Sequence, residues 1–297
     1  MTPRAPYHHG SRAVQDLVGV RELADHVGRS IGDGIRPVAA AFLELQPMLV
    51  IGGADPAGAL WASLLTGEPG FVRATGPHQI SIAGGLRRAD PLAQALAQET
   101  QEGNPVGTIA LDPRTRRRMR LNGRARPTPR GLAIEADQVF SNCPKYLQKR
   151  ELPGVAAPGR PAAPRHGVKL TGDQRAFIAE ADTFFLATVH AEGADASHRG
   201  GNPGFVQVPS PHELTWRDYP GNSMFLSLGN LATDPRAGLL FLDWVTGTTL
   251  QLTGTARTEY GDDGTRTVRF TLTEAVETQR ASPWSWSPPE YSPANPT

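Results

Sequence analysis

The chain has one cysteine, three lysines and no long apolar run in its 297 residues. Each scarcity excludes something. A lone Cys143 permits neither an intrachain disulfide nor a cysteine-rich metal site, and it fits a reducing, cytoplasmic setting. Apart from Lys145, Lys149 and Lys169 every fixed cation is arginine, a bias we read as genomic. Lys and Arg total 30 against 29 Asp and Glu, a net charge of +1, without the basic excess that nucleic acid or an anionic membrane surface demands. Met1 to Gly10 has no apolar leader core, and no window reaches the length of a membrane span. What remains is enough chain for two ordinary domains, each able to bury a core without staples.

What is present is a repeat. Trp61-Ala62-Ser63-Leu64-Leu65-Thr66-Gly67-Glu68-Pro69-Gly70-Phe71-Val72 aligns with Asp195-Ala196-Ser197-His198-Arg199-Gly200-Gly201-Asn202-Pro203-Gly204-Phe205-Val206 at an offset of 134 (63 to 197). Further on, Gly107, Asp112, Gly123 and Arg126 match Gly238, Asp243, Gly254 and Arg257 at an offset of 131 (112 to 243). Glycine, proline and aspartate recurring at fixed spacing mark a duplicated domain, with a period too long for a solenoid.

Periodicity orders the chain around this repeat. A polar segment, 1–34, carries a helix expected near Asp16–Val27, and its His8-His9 pair reads as incidental. The first copy, 35–150, opens with a helix at Ile35–Leu45, then strands at Met48–Gly52, Trp61–Leu65 and Gln79–Ala83, a helix at Pro91–Gln101, and strands at Val106–Leu111 and Arg116–Arg126. In the last, Arg118, Arg120, Asn122, Arg124 and Arg126 alternate with apolar or small residues, which reads as a solvated strand face rather than a phosphate-backbone patch. A linker rich in Pro, Ala and Gly, 151–168, leads to the second copy, 169–275. Its expected elements are a helix at Thr171–Ala181 and strands at Phe184–Val189, Ala194–Arg199, Phe205–Pro209, Glu213–Trp216, Ser223–Leu228, Gly238–Asp243, Thr248–Thr258 and Arg266–Leu272. A proline-rich tail, 276–297, ends the chain. Short strands, frequent turns and few helices give a mainly β class, two antiparallel barrels in tandem.

Duplication lets each copy act as a control for the other. Where the first has Leu64-Leu65-Thr66 the second has His198-Arg199-Gly200. Ser197 and Arg199 project to one face of their strand, beside a Gly-Gly that admits close approach. A hydroxyl and a guanidinium fork so placed suit a phosphate. Equally, Arg199 could be a strand-end arginine paired with Asp195 or Asp218. Asn222, Ser227 and Asn230 can bond a polyol or heteroaromatic edge, and Trp216 can cover an apolar ring or belong to the core. These residues could converge on one ligand with an anionic end and a flat end.

At these positions the chain resembles the FMN-binding split-barrel family related to pyridoxamine 5′-phosphate oxidase, most closely its tandem-barrel members. The stretches carrying the likeness are Asp195–Gly201, Pro203–Val206, Tyr219–Phe225, Gly229–Leu231, Pro235–Phe241, Leu250–Gly254 and Asn142–Gln148. The resemblance implies Greek-key split barrels with FMN in the cleft between them, here both from one chain. It implies cofactor contacts from Ser197, His198, Arg199, Trp216, Asp218, Asn222, Ser227 and Asn230, with Lys145 approaching from the first copy. The first copy lacks the cationic pair, so one flavin per chain is expected. Some tandem relatives continue past a similar tail into a reductase and iron–sulfur module; this chain ends at Thr297, so an external electron donor is expected. The residues that would hold pyridoxamine phosphate are not recognisable.

The expectation is therefore an FMN-dependent oxidoreductase acting on a small molecule, a cytoplasmic chain for which a homodimer is left open. The competing readings are a non-catalytic flavin, deazaflavin or haem carrier or sensor. His198 is the candidate acid–base group, and Cys143 reads as a structural thiol.

Overall fold

The computed structural model describes residues 5–152, 154–155 and 160–296. The first four residues, positions 153 and 156–159 of the expected linker, and Thr297 lie outside them. Three helices come first: α1 (His9–Leu17), α2 (Arg21–Gly28) and α3 (Pro37–Glu44). The strands β1 (Met48–Ala54), β2 (Leu60–Thr66), β3 (Val72–Gly76) and β4 (Gln79–Ala83) follow, then the single-turn helix α4 (Ala93–Ala97). β5 (Asn104–Asp112), β6 (Arg117–Thr128) and β7 (Gly131–Ser141) complete an antiparallel sheet of order β2-β1-β5-β6-β7-β4-β3.

Two short strands, β8 (Gly154–Val155) and β9 (Arg165–Gly167), precede helix α5 (Gly172–Glu180). Thr171 and Gln174 close a reciprocal capping box at its start. The second sheet uses β10 (Thr183–His190), β11 (Gly193–Gly200), β12 (Val206–Ser210), β13 (Glu213–Arg217), helix α6 (Leu226–Thr233), β14 (Arg236–Leu242), β15 (Thr249–Tyr260) and β16 (Arg266–Thr278). Its order, β11-β10-β14-β15-β16-β13-β12, repeats that of the first, strand for strand. A last strand, β17 (Trp284–Ser285), pairs with β8.

Each sheet wraps one core. Side chains from all seven strands of the first sheet meet in a single apolar cluster; in the second sheet every strand but β11 contributes to the corresponding cluster. A third cluster joins the two barrels, and it explains why β1 and β10 read as unbroken apolar runs. Leu49 and Ile51 face the first core while Met48 and Val50 face the seam. Phe184 and Leu186 face the second core while Phe185 and Ala187 meet that seam. Strands buried on both faces lose the polar half of their alternation. Trp284 and Trp286 of the tail cover the same cluster, Trp284 donating from Nε1 to the Pro47 carbonyl at 3.1 Å.

The glycines that repeat have matching reasons to be glycine. Gly123 and Gly254 sit at register shifts in their sheets, where a Cβ would lie 1.9 Å from the Glu135 carbonyl and 2.0 Å from the Thr271 carbonyl.

Several local expectations are corrected. The single helix near Asp16–Val27 is two, α1 and α2, parted at Gly19 with φ +70°. The Pro91–Gln101 helix shrinks to α4. Ser223–Leu228 is not a strand: Ser223 (φ 60°) and Phe225 (φ 54°) are left-handed, and α6 begins at Leu226. A short apolar run fits either period until packing decides. His8 is not incidental, because its Nδ1 accepts from the Gly10 amide to cap α1 and its Nε2 lies 2.8 Å from Asn230 Oδ1. No described helix is long and apolar enough to cross a membrane.

Candidate functional site: a cationic cleft between the barrels

A cleft of about 890 Å³, open mouth included, runs along the seam at the end of β11. The second barrel contributes Ser197, His198 and Arg199, the Asp218–Phe225 loop and the start of α6. The first contributes β6 through Arg118 and Arg120, and the turn from Asn142 to Tyr146. Tyr146 Oη donates to the Pro220 carbonyl at 2.9 Å, tying the two sides together.

On one face of β11 lie Asp195, Ser197 and Arg199. Arg199 donates from Nη1 to Ser197 Oγ and to the His198 carbonyl, both at 3.2 Å, while its Nε is 3.3 Å from Asp218 Oδ1. Arg199 thus pairs with a carboxylate while bordering the cleft. Asp218 divides its charge, since Arg266 Nε lies 3.4 Å from its other oxygen. Ser227 donates to Asp195 Oδ2 at 3.1 Å and stands 3.0 Å from Ser197 Oγ. Asp195 is held from the first barrel by Arg120 and by Asn122.

The alternating basic face of β6 is therefore not solvated as expected. Arg120 and Asn122 are 6% and 8% exposed, because β11 packs across them. Arg118 donates to His198 Nδ1 at 2.7 Å and to the Cys143 carbonyl at 2.6 Å, and it has no carboxylate in reach among the described residues. Burial, then the charge of Arg199, pushes its pKa down to about 10, so it stays cationic. Arg118 and Arg120 are the residues missed from sequence. A signal existed: at an offset of 131 they face Thr249 and Gln251, so the comparison that exposed Arg199 exposes them too.

Of the other expected residues, Lys145 borders the cleft from an exposed turn, and Asn222 borders it while its Oδ1 accepts from the Met224 amide at 3.2 Å. Two do not arrive. Trp216 is 2% exposed, edge-on to Phe184 in the second core, and cannot cover a ligand ring. Asn230 lies on α6 away from the cleft, its amide donating to Thr188 Oγ1 at 2.9 Å and its oxygen facing His8. On the matching side of the seam Leu65 is core, and Ser63, Gln251 and Asp90 satisfy one another.

The geometry fixes the tautomer of His198. A guanidinium only donates, so Nδ1 accepts and the proton sits on Nε2. Burial, then Arg118 and Arg199, holds the imidazole pKa well below its ordinary 6.5. The unfolded chain therefore binds a proton below that value which the folded chain refuses. Stability should be intact above pH 6.5 and fall at lower pH, by up to ~1.4 kcal/mol per pH unit from this group. His8, also lowered by burial, adds the same sign. Urea unfolding between pH 7 and 5 should show the slope, and His198→Asn should flatten it; an unchanged slope contradicts the buried neutral imidazole.

Two antiparallel barrels of one topology close on a cation-rich seam. Residues 170–281 match the family model described as pyridoxamine 5′-phosphate oxidase. The match spans the second barrel and does not extend to the first. Among solved structures it is similar to a candidate pyridoxamine 5′-phosphate oxidase of Lactobacillus delbrueckii, at 20% identity over 37% of this chain and 94% of that one (TM-score 0.30). It is similar to a Clostridium acetobutylicum protein of the pyridoxinephosphate oxidase family, at 12% over 39% and 91% (0.29). The FAD binding protein of Mycobacterium smegmatis matches at 13% over 39% and 98% (0.28). No curated protein matches the chain.

Proposed function

We propose that the protein is an FMN-dependent oxidoreductase holding one flavin per chain in this cleft and acting on a small molecule. The observation that carries the reading is the excess of cations over carboxylates along the cleft, with Arg199 beside Ser197 on its wall. Leaving a buried cation without a counterion costs several kcal/mol, and an anionic ligand removes that cost. Arg199 and Ser197, adjacent on one strand face, fit a phosphate; Asn222 and Ser227 line the same cleft and suit a polyol or ring edge. Bound there, a flavin supplies hydride or single-electron transfer. The chain's own part is to hold the phosphate, fix the ring edge and exclude water. His198, neutral and donating only from Nε2, is no proton acceptor near neutral pH.

That last point favours a second reading, a flavin carrier without a substrate reaction of its own. The absorption spectrum of the purified protein tests both. Flavin bands at about one per chain, bleached by NADPH directly or through an added reductase, support the oxidoreductase. Bands that no physiological donor bleaches support the carrier. A protein that is colourless and takes up neither FMN nor FAD on reconstitution contradicts both, and the mass of released flavin separates FMN from FAD.

A further inference from the structure

We propose that Arg118 is the seat for a carboxylate on the reacting partner, a subsite of the first barrel distinct from the phosphate position on the second. This rests on the flavin reading and adds a substrate class to it: a small organic carboxylate.

Three observations support it. The barrel does not need this arginine, since its counterpart in the second copy is Thr249, buried at 2% exposure in the same strand position. Its charge is not used inside the protein either, because its two partners, an imidazole nitrogen and a carbonyl, are neutral acceptors. Those partners take one N–H from each terminal nitrogen of the fork and leave the other on each for a further acceptor, while Nε is buried without a partner. Such a held fork suits a planar carboxylate, which takes two parallel N–H donors.

The second argument is separation. Arg118 is held by His198, whereas the phosphate position is made by Ser197 and Arg199 on the opposite face of β11. The third is charge. Five cations border the cleft (Arg118, Arg120, Lys145, Arg199 and Arg217) against Asp218, and Asp195, outside the lining, neutralises Arg120, which leaves an excess of three. A phosphate monoester carries about −2. One positive charge remains after the cofactor is seated, and Arg118 is the buried cation without a carboxylate partner among the described residues.

The test uses the flavin-loaded protein, with benzoate as the probe and benzamide as its neutral isostere. Benzoate should produce a saturable change in the visible flavin bands, and benzamide none. Arg118→Met should keep one flavin per chain and bind benzoate at least tenfold more weakly; Arg118→Lys should recover part of the loss. Should Arg118→Met fail to fold, Arg118→Gln takes its place, and thermal melts identify that case. Loss of flavin from either variant would assign Arg118 to the cofactor and overturn the proposal. So would benzoate affinity unchanged by the substitution, equal binding of benzamide, or displacement of benzoate by inorganic phosphate at comparable concentration. If the wild-type protein takes up no flavin, the flavin reading fails by itself. Calorimetric titration of benzoate into wild type and Arg118→Met then decides the carboxylate seat, with equal heats overturning it.

Discussion

Arg199→Ala protein should purify without flavin and take up FMN at least a hundredfold more weakly than wild type. The side chain can offer two charge-assisted hydrogen bonds to a phosphate, each contributing about 1.5–3 kcal/mol, and tenfold in affinity corresponds to ~1.4 kcal/mol. The substitution also strands Asp218, whose other cation, Arg266, remains in place, so the fold itself should change little. Arg199→Lys should fall between, keeping the charge and losing the fork. The internal control is Leu65, the counterpart in the first barrel. It is 3% exposed among core side chains, so Leu65→Ala should cost about 2–5 kcal/mol of stability and leave flavin content unchanged. The two variants thus separate binding from folding. Stoichiometric flavin in Arg199→Ala, measured by absorbance against protein concentration, would remove the phosphate from this strand.

Legibility followed the number of burial surfaces each residue meets. Met48–Ile51 and Phe184–Ala187 were readable as strands because any doubly buried strand is apolar throughout. The pairing of Ser197 with Arg199 was readable because a two-residue period is local. What the repeat could not disclose was which outer face meets the other barrel. Alternation in β6 distinguishes one packed face from a polar one, and it is silent on whether water or β11 covers the polar side. Arg120 and Asn122 are buried there through bonds to Asp195, some seventy residues distant. Trp216 and Asn230 failed for the opposite reason. Their chemistry suits a ligand, and the second core and the His8 cap claimed them first. The Ser223–Phe225 backbone is left-handed at two non-glycine residues, a conformation no sequence rule assigns to serine and phenylalanine.

The seam itself should be the most fragile part of the molecule, and its two sides should fail differently. An ideal Cβ on Gly238 would lie 2.6 Å from both the Leu60 carbonyl and Trp61 Cα; on its counterpart Gly107 it would lie 2.4 Å from Ala196 N and Asp195 Cα. All four are backbone atoms, so no rotamer change relieves the clash and the barrels must part. Overpacking usually costs about 1–3 kcal/mol, and a backbone-against-backbone case belongs at or above the upper end. Gly238→Ala pushes on β2, on the side where Ser63, Gln251 and Asp90 close on one another. It should lower the urea midpoint while the remaining folded protein keeps its flavin. Gly107→Ala pushes on Asp195 and Ala196, immediately before Ser197, and should lose flavin affinity beyond its loss of stability. Equal flavin loss in the two variants would mean that the seam transmits strain to both sides alike. The cofactor would then be held by the docking of whole barrels rather than by the end of β11.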